Sequence, residues 1–185
     1  MAADITKIAD IDVTGSTTDT ITFSSIPQTY KTLMVMQSSY YDRGGGSNDG
    51  FRVNGLSTNI YTTLYNYLST QSASGSRSIG TITGAGVTFC YAMFTQSLGP
   101  SNSVLYWGNS VYYFPNYKST SENKLALQIG GNAAFESPSG YDPVRGGVIA
   151  YKVATTNAIT QLQFGSYEAS VYWRAGTKFT LYGIS

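Results

Sequence analysis

Leu125-Ala126-Leu127-Gln128-Ile129 alternates large apolar side chains with small or polar ones, and the run stops at Gly130-Gly131. Period-two alternation of this length is the mark of a half-buried strand, and a glycine pair ends it. The same grammar runs outward in both directions. Upstream, Ile21 and Phe23 alternate with Thr20, Thr22 and Ser24 until Ile26-Pro27. Leu33-Met34-Val35-Met36 is apolar on both alternating sets, which suits a strand covered on both sides or a strand at an interface. Phe51 and Val53 alternate with Arg52 and Asn54 between Gly50 and Gly55, and Val87 to Phe94 reads as a longer aromatic strand. Val104 to Trp107 and Val111 to Phe114 read as two strands joined by a Gly108-Asn109 turn. Val148 to Val153, Ile159 to Phe164 and Phe179 to Ile184 follow.

About nine short strands with turn chemistry between them indicate an all-β chain folded as a sandwich or barrel. Ile60, Leu64 and Leu68 recur every fourth residue, so that segment reads as a short helix or, given its threonines and tyrosines, as a strand. The inward faces are expected to include Ile21, Phe23, Leu125, Leu127, Leu162, Phe164, Phe179 and Leu181.

Composition bounds what such a fold can do. The 185 residues are 42% hydrophobic and only 11% charged, less than half the roughly 25% charged residues of an average globular protein. Lys and Arg number 11 and Asp and Glu 10, a balance that gives no electrostatic case for nucleic acid or an anionic membrane. There is no histidine, so imidazole bases, His-based triads and His-ligated metals are excluded. The single Cys90 cannot form an internal disulfide or a multi-thiolate zinc site. No cofactor or metal is expected. The N-terminal residues lack the apolar run of an export signal, and no Asn-x-Ser/Thr sequon occurs, which suits folding in a cytoplasm.

Two stretches offer chemistry on paper. Gly44-Gly45-Gly46 lies in a loop with Asp42, Asn48 and Asp49, but no Gly-Lys-Ser/Thr follows and the spacing is not that of a calcium loop. Glu122 with Glu136, or Asp142 with Glu168, would be the carboxylate pairs of a glycosidase, though nothing in the sequence brings either pair together. The chain therefore reads as non-enzymatic. Its 16 Tyr, 8 Phe and 2 Trp have three readings: glycan-stacking platforms, interface residues, or core. With few charges to solvate the surface, contact is the favoured one. The candidate protein-contact residues are Tyr40, Tyr41, Tyr112, Tyr113, Tyr172 and Trp173. Ile5, Ile8 and Ile11 join them. Their every-third spacing fits neither strand nor α-helix, so residues 1–18 are expected to be an arm that docks on a neighbouring protein, beside a domain of residues 19–185.

Five segments in order carry a resemblance. Ile21-Thr22-Phe23-Ser24-Ser25-Ile26-Pro27-Gln28-Thr29-Tyr30, Phe51-Arg52-Val53-Asn54-Gly55, Asn123-Lys124-Leu125, Ala158-Ile159-Thr160-Gln161-Leu162-Gln163-Phe164 and Leu181-Tyr182-Gly183-Ile184 resemble those of small jelly-roll virion proteins of tailed phages. The chain departs from that pattern after Asn54-Gly55, where an Asp usual in the group is missing. The resemblance implies a single jelly-roll-like antiparallel β-sandwich. It implies a capsid cement or decoration protein on the virion, bound to itself as a trimer and to the major capsid protein. The alternative it leaves is a tail-fibre module that recognises host glycan.

Overall fold

The computed structural model describes residues 4–15, 20–40, 49–69, 76–82, 88–91, 105–135, 144–166 and 173–185. All regular structure in them is strand: β1 Ile5–Asp12, β2 Thr20–Phe23, β3 Thr32–Tyr40, β4 Asp49–Val53, β5 Tyr61–Ser69, β6 Ser76–Ile82, β7 Cys90–Tyr91, β8 Leu105–Pro115, β9 Lys124–Phe135, β10 Val144–Val153, β11 Leu162–Ser166 and β12 Lys178–Ile184. Eight of them form one sheet in the order β1-β12-β3-β8-β9-β10-β5-β6, and four form a second in the order β2-β11-β4-β7. Every pairing is antiparallel.

With the hairpins β5–β6 and β9–β10 set aside, what remains is β1-β12-β3-β8 facing β2-β11-β4-β7. That strand order is a jelly roll. The two hairpins join each other through β10 and β5 and extend the first sheet beyond β8, doubling its width. The fold is an all-β, jelly-roll-like antiparallel sandwich.

Between the sheets Phe51 is the hub. Its ring meets Tyr151 at 4.9 Å, Phe114 at 5.2 Å and Tyr112 at 5.9 Å, each close to perpendicular. Edge-to-face pairs of this kind add about 0.5–1.5 kcal/mol each beyond their buried area. Ile21, Phe23, Val53, Leu162, Phe164, Phe179 and Leu181 complete the aromatic-aliphatic core.

One open reading is resolved and three expectations are corrected. The 60–68 segment is strand β5, because its tyrosines and threonines pack inward at Tyr61 and Thr63 on a period of two. Gly108-Asn109 is not a turn: β8 runs straight through it, paired with β3 on one side and β9 on the other. Of the aromatic strand expected at 87–94, only Cys90–Tyr91 is strand among the described residues. The last is the face of β9. Leu125 is 57% exposed and Leu127 half-buried, whereas Lys124, Ala126 and Gln128 point inward and are buried. The neighbours explain the inversion. Tyr112 on β8 and Tyr151 on β10 fill the inner space beside β9, leaving room for a small Ala126 and requiring a hydrogen-bond partner for two phenols.

Residues 4–13 are also not a loose arm in this fold. β1 pairs with β12 from Ile5–Ile184 to Asp12–Lys178. The register slips between Lys7 and Ala9, so one extra residue resets the alternation. The bulge is why isoleucines three apart suit a strand: Ile8, Ala9 and Ile11 all reach the core, and Val13 is buried.

Candidate interaction surface

The register of the large sheet lines up its outward side chains in rows that cross it. One row is Thr180, Met36, Val111, Ile129, Val148, Asn66 and Ile79. The next is Tyr182, Met34, Tyr113, Leu127, Ala150, Leu64 and Thr81. From β12 to β6 neither row contains a charged residue; on the edge strand β1 the first ends on Asp10 and the second on Lys7, which pair with each other at 3.2 Å. Met36, Leu64, Leu68, Ile79, Leu125, Ile129, Val144 and Val148 are each 44–63% exposed. Isolated exposed apolar residues are ordinary, but a contiguous apolar sheet face is the mark of a contact surface. Charges stand at its margins: Lys178, 3.1 Å from the Asp12 carboxylate, and Lys152 in the row that carries Leu125.

The face is not flat. A depression of about 300 Å³ opens over β12, β3, β8 and β9, with Met36, Val111 and Ile129 as its apolar walls and Lys178, Thr180, Tyr182 and Asn109 around them. Beyond it, β10 and β5 carry the exposed Val148, Leu64 and Leu68.

On the inner side of the same strands lies a buried polar chain. Gln37 donates to Ser39 Oγ at 2.8 Å, and Tyr112 donates its hydroxyl to Gln37 Oε1 at 2.8 Å. Gln128 donates to the Tyr112 hydroxyl at 3.1 Å and to Ser110 Oγ at 2.9 Å. The single Tyr151 hydroxyl hydrogen is shared between Gln128 Oε1 and the Tyr91 carbonyl. Burial pushes the Tyr151 phenol well above its usual range, and the Cys90 thiol likewise. Both stay protonated at neutral pH, so the chain fixes the sheets' spacing and offers no poised base or thiolate. Lys124 is a second buried polar device. Its Nζ donates to the carbonyls of Ser119 and Glu122 at 2.7 Å and of Thr156 at 3.1 Å, which uses all three ammonium hydrogens. Burial lowers its pKa from the ordinary lysine value, partly opposed by the Glu122 carboxylate.

The candidate contact residues are dispersed by the fold. Tyr112 is fully buried against Phe164 at 5.2 Å, and Trp173 is buried with its ring edge-on to Phe179 at 5.1 Å. Both are core: Tyr112 faces inward on β8, and Trp173, ahead of β12, packs on the core through Phe179. Tyr113 lies half-buried on the outer face between Met34 and Leu127. Tyr40 ends β3, paired with Trp107; Tyr41 and Tyr172 lie outside the described residues. Ile5 is exposed on β1 opposite Ile184, and Ile8 and Ile11 pack on the core. Sequence reading missed the aliphatic residues of the outer face. The available signal was Leu33-Met34-Val35-Met36, apolar on both faces, whose Met34 and Met36 do lie there.

Asp42, Gly44-Gly45-Gly46 and Asn48 lie outside the described residues, as do Glu136, Asp142 and Glu168, so neither carboxylate pair is placed. Glu122 is exposed and accepts a hydrogen bond from Asn116 Nδ2. Among the described residues no group of three or more His, Cys, Asp or Glu converges as a metal site, and no helix is long and apolar enough to cross a membrane. Comparison of the chain with protein-family models, with curated proteins and with solved structures finds no match.

Proposed function

We propose that this protein is a non-enzymatic structural component whose work is contact: it buries a largely apolar sheet face against another protein surface. The observation that carries the reading is the outer face of the large sheet, two adjacent rows without a charge from β12 to β6 that include Met36, Val111, Ile129, Val148 and Leu64. Burying apolar area against a partner stabilises the assembled state by mass action and needs no chemistry at any one residue.

The sequence resemblance supplies the setting: a tailed-phage virion, in which the protein is a capsid cement, folded in the bacterial cytoplasm and bound to the major capsid protein and to sister copies, with a trimer as the shell-matched assembly. The rival setting is a fibre module for host glycan. The depression beside Tyr182 and Asn109 is what favours it, since a ring and an amide are a common sugar-binding pair. Counting copies in purified particles by quantitative mass spectrometry separates the two. A copy number that scales with the capsomers supports cement; one that matches the fibres supports the rival; absence from particles overturns both.

A further inference from the structure

We propose that Asn54-Gly55 is a modification site held shut by the fold: the pair loses ammonia and becomes aspartate or isoaspartate only when its turn opens, and the change then cannot be reversed by refolding. The proposal stands apart from the contact reading and from the virion setting.

The chemistry comes from the sequence. Asn54-Gly55 is the one Asn-Gly pair in the chain. A following glycine has no side chain to hinder attack of its amide nitrogen on the asparagine side chain. In that step a solvent base takes the Gly55 amide proton and a bond forms from the Gly55 nitrogen to Asn54 Cγ. The Cγ–Nδ2 bond breaks, and Nδ2 takes up a proton and leaves as ammonia. Water then opens the five-membered imide at one of its two carbonyls. Opening at Cγ leaves aspartate; opening at the main-chain carbonyl leaves isoaspartate, with an extra methylene in the backbone. Gly55 is exposed, so access of solvent is not what limits the reaction.

Geometry is what shuts the site. Asn54 and Gly55 both have positive φ, 51° and 66°, and the Leu56 amide donates to the Val53 carbonyl at 3.0 Å. These are the marks of a type I′ turn, in which ψ of the first central residue is about +30°. At that ψ the Gly55 nitrogen lies nearly anti to Asn54 Cβ about the Cα–C bond, whereas ring closure needs the two eclipsed. The side chain is held as well. Its Nδ2 donates to the Ala158 carbonyl at 2.8 Å. Its Oδ1 accepts from the Thr160 and Gln161 amides at 2.9 and 3.1 Å and from the Thr160 hydroxyl at 3.3 Å. Turning ψ toward closure breaks the turn, and swinging Cγ to the nitrogen breaks the ties to residues 158–161.

Neither product rebuilds the same turn. In aspartate the atom in place of Nδ2 is an oxygen that faces the Ala158 carbonyl, two acceptors with no proton between them. In isoaspartate the lengthened main chain no longer matches the closure of Leu56 on Val53.

The test is peptide mass spectrometry that separates asparagine, aspartate and isoaspartate at position 54. The full chain is kept in mildly alkaline buffer, with and without denaturing urea. The folded rate is the unfolded rate multiplied by the open fraction, and opening breaks several hydrogen bonds at once. Conversion is therefore expected to be at least about tenfold slower in the folded chain. Thr160→Pro removes both Thr160 donors to Oδ1 and is expected to raise the folded rate while leaving the rate in urea unchanged. Thr160→Val removes the hydroxyl donor alone and serves should the proline variant not fold. Asn54→Asp is expected to unfold at a lower urea concentration than the parent chain. Equal rates with and without urea, a folded rate that the Thr160 variants leave unchanged, or a urea midpoint that Asn54→Asp does not move would each overturn the proposal.

Discussion

The ring of Tyr30 covers the backbone of Gly183 so closely that a Cβ there would come within 2.3 Å of two ring carbons. The two residues lie about 150 positions apart in the sequence. Gly183→Ala is expected to destabilise the fold by about 1–3 kcal/mol, the usual cost of overpacking. In Tyr30→Ala, where the ring is gone, the same change should cost far less. Chemical denaturation of the four proteins gives the coupling; simple additivity would show that the contact does not constrain the strand.

Asn54 sits in the left-handed region at φ 51°, and its side chain ties the β4 turn to the approach to β11. Its Nδ2 donates to the Ala158 carbonyl at 2.8 Å, and its Oδ1 accepts from the Thr160 and Gln161 amides at 2.9 and 3.1 Å. Asn54→Gly keeps the backbone conformation and loses the bonds, an expected cost of about 1–3 kcal/mol. Asn54→Ala should cost about 1 kcal/mol more, for a Cβ in a conformation that disfavours it. Equal losses in the two variants would remove the backbone component.

Lys124→Met leaves three carbonyls, those of Ser119, Glu122 and Thr156, without their donor. A loss of about 2–4 kcal/mol is expected from unsatisfied buried acceptors. An unchanged urea midpoint would mean that water replaces the ammonium at no cost.

Stability should fall in alkali. Tyr61 donates to the Leu56 carbonyl, and burial pushes its phenol from 10.0 up to about 12, only partly opposed by the Val53 amide that donates to it. A raised folded-state pKa means the folded form holds its proton more tightly. The contribution is therefore complete below pH about 10 and lost as pH climbs toward about 12, about 3 kcal/mol in all for two pH units. Tyr61→Phe should flatten that part of the profile. An identical alkaline slope in the variant assigns the effect elsewhere, with Tyr151 and Tyr117, buried phenols whose pKa values are also raised, as the first candidates.

The inverted face of β9 has a direct check. Leu125→Gln, on the outside, should change stability by no more than about 0.5 kcal/mol in the monomer. Ala126→Gln, on the inside, should cost several times that through overpacking. The reverse ordering would restore the face read from the sequence.

That strand shows where sequence reading succeeds and where it stops. Alternation identified strands at Ile21–Phe23, Leu125–Ile129 and Phe179–Leu181 because period two is a local property of the chain. Which alternate set faces inward is not local. On β2 and β12 the hydrophobic set is inside; on β9 it is outside, since Tyr112 and Tyr151 had already taken the volume and needed Gln128. A bulge at Ile8 hid β1 for a related reason: one extra residue turns period two into an apparent period of three. Aromatic residues were weighed as contacts, but the inside of the sandwich claimed Tyr112 and Trp173, and the outside was left to aliphatic side chains.

The pairing of β1 with β12, and of β2 with β11, sets a schedule for the chain as it leaves the ribosome. β1 and β2 have no strand partners among the described residues until β12 and β11 are complete, more than a hundred residues later. Both β1 and β2 must wait in an unpaired state, and their pairing closes the largest loops in the fold, the slowest kind of contact to form. Until β12 has been made the large sheet stays open along that edge, and β12 is the strand that shuts it.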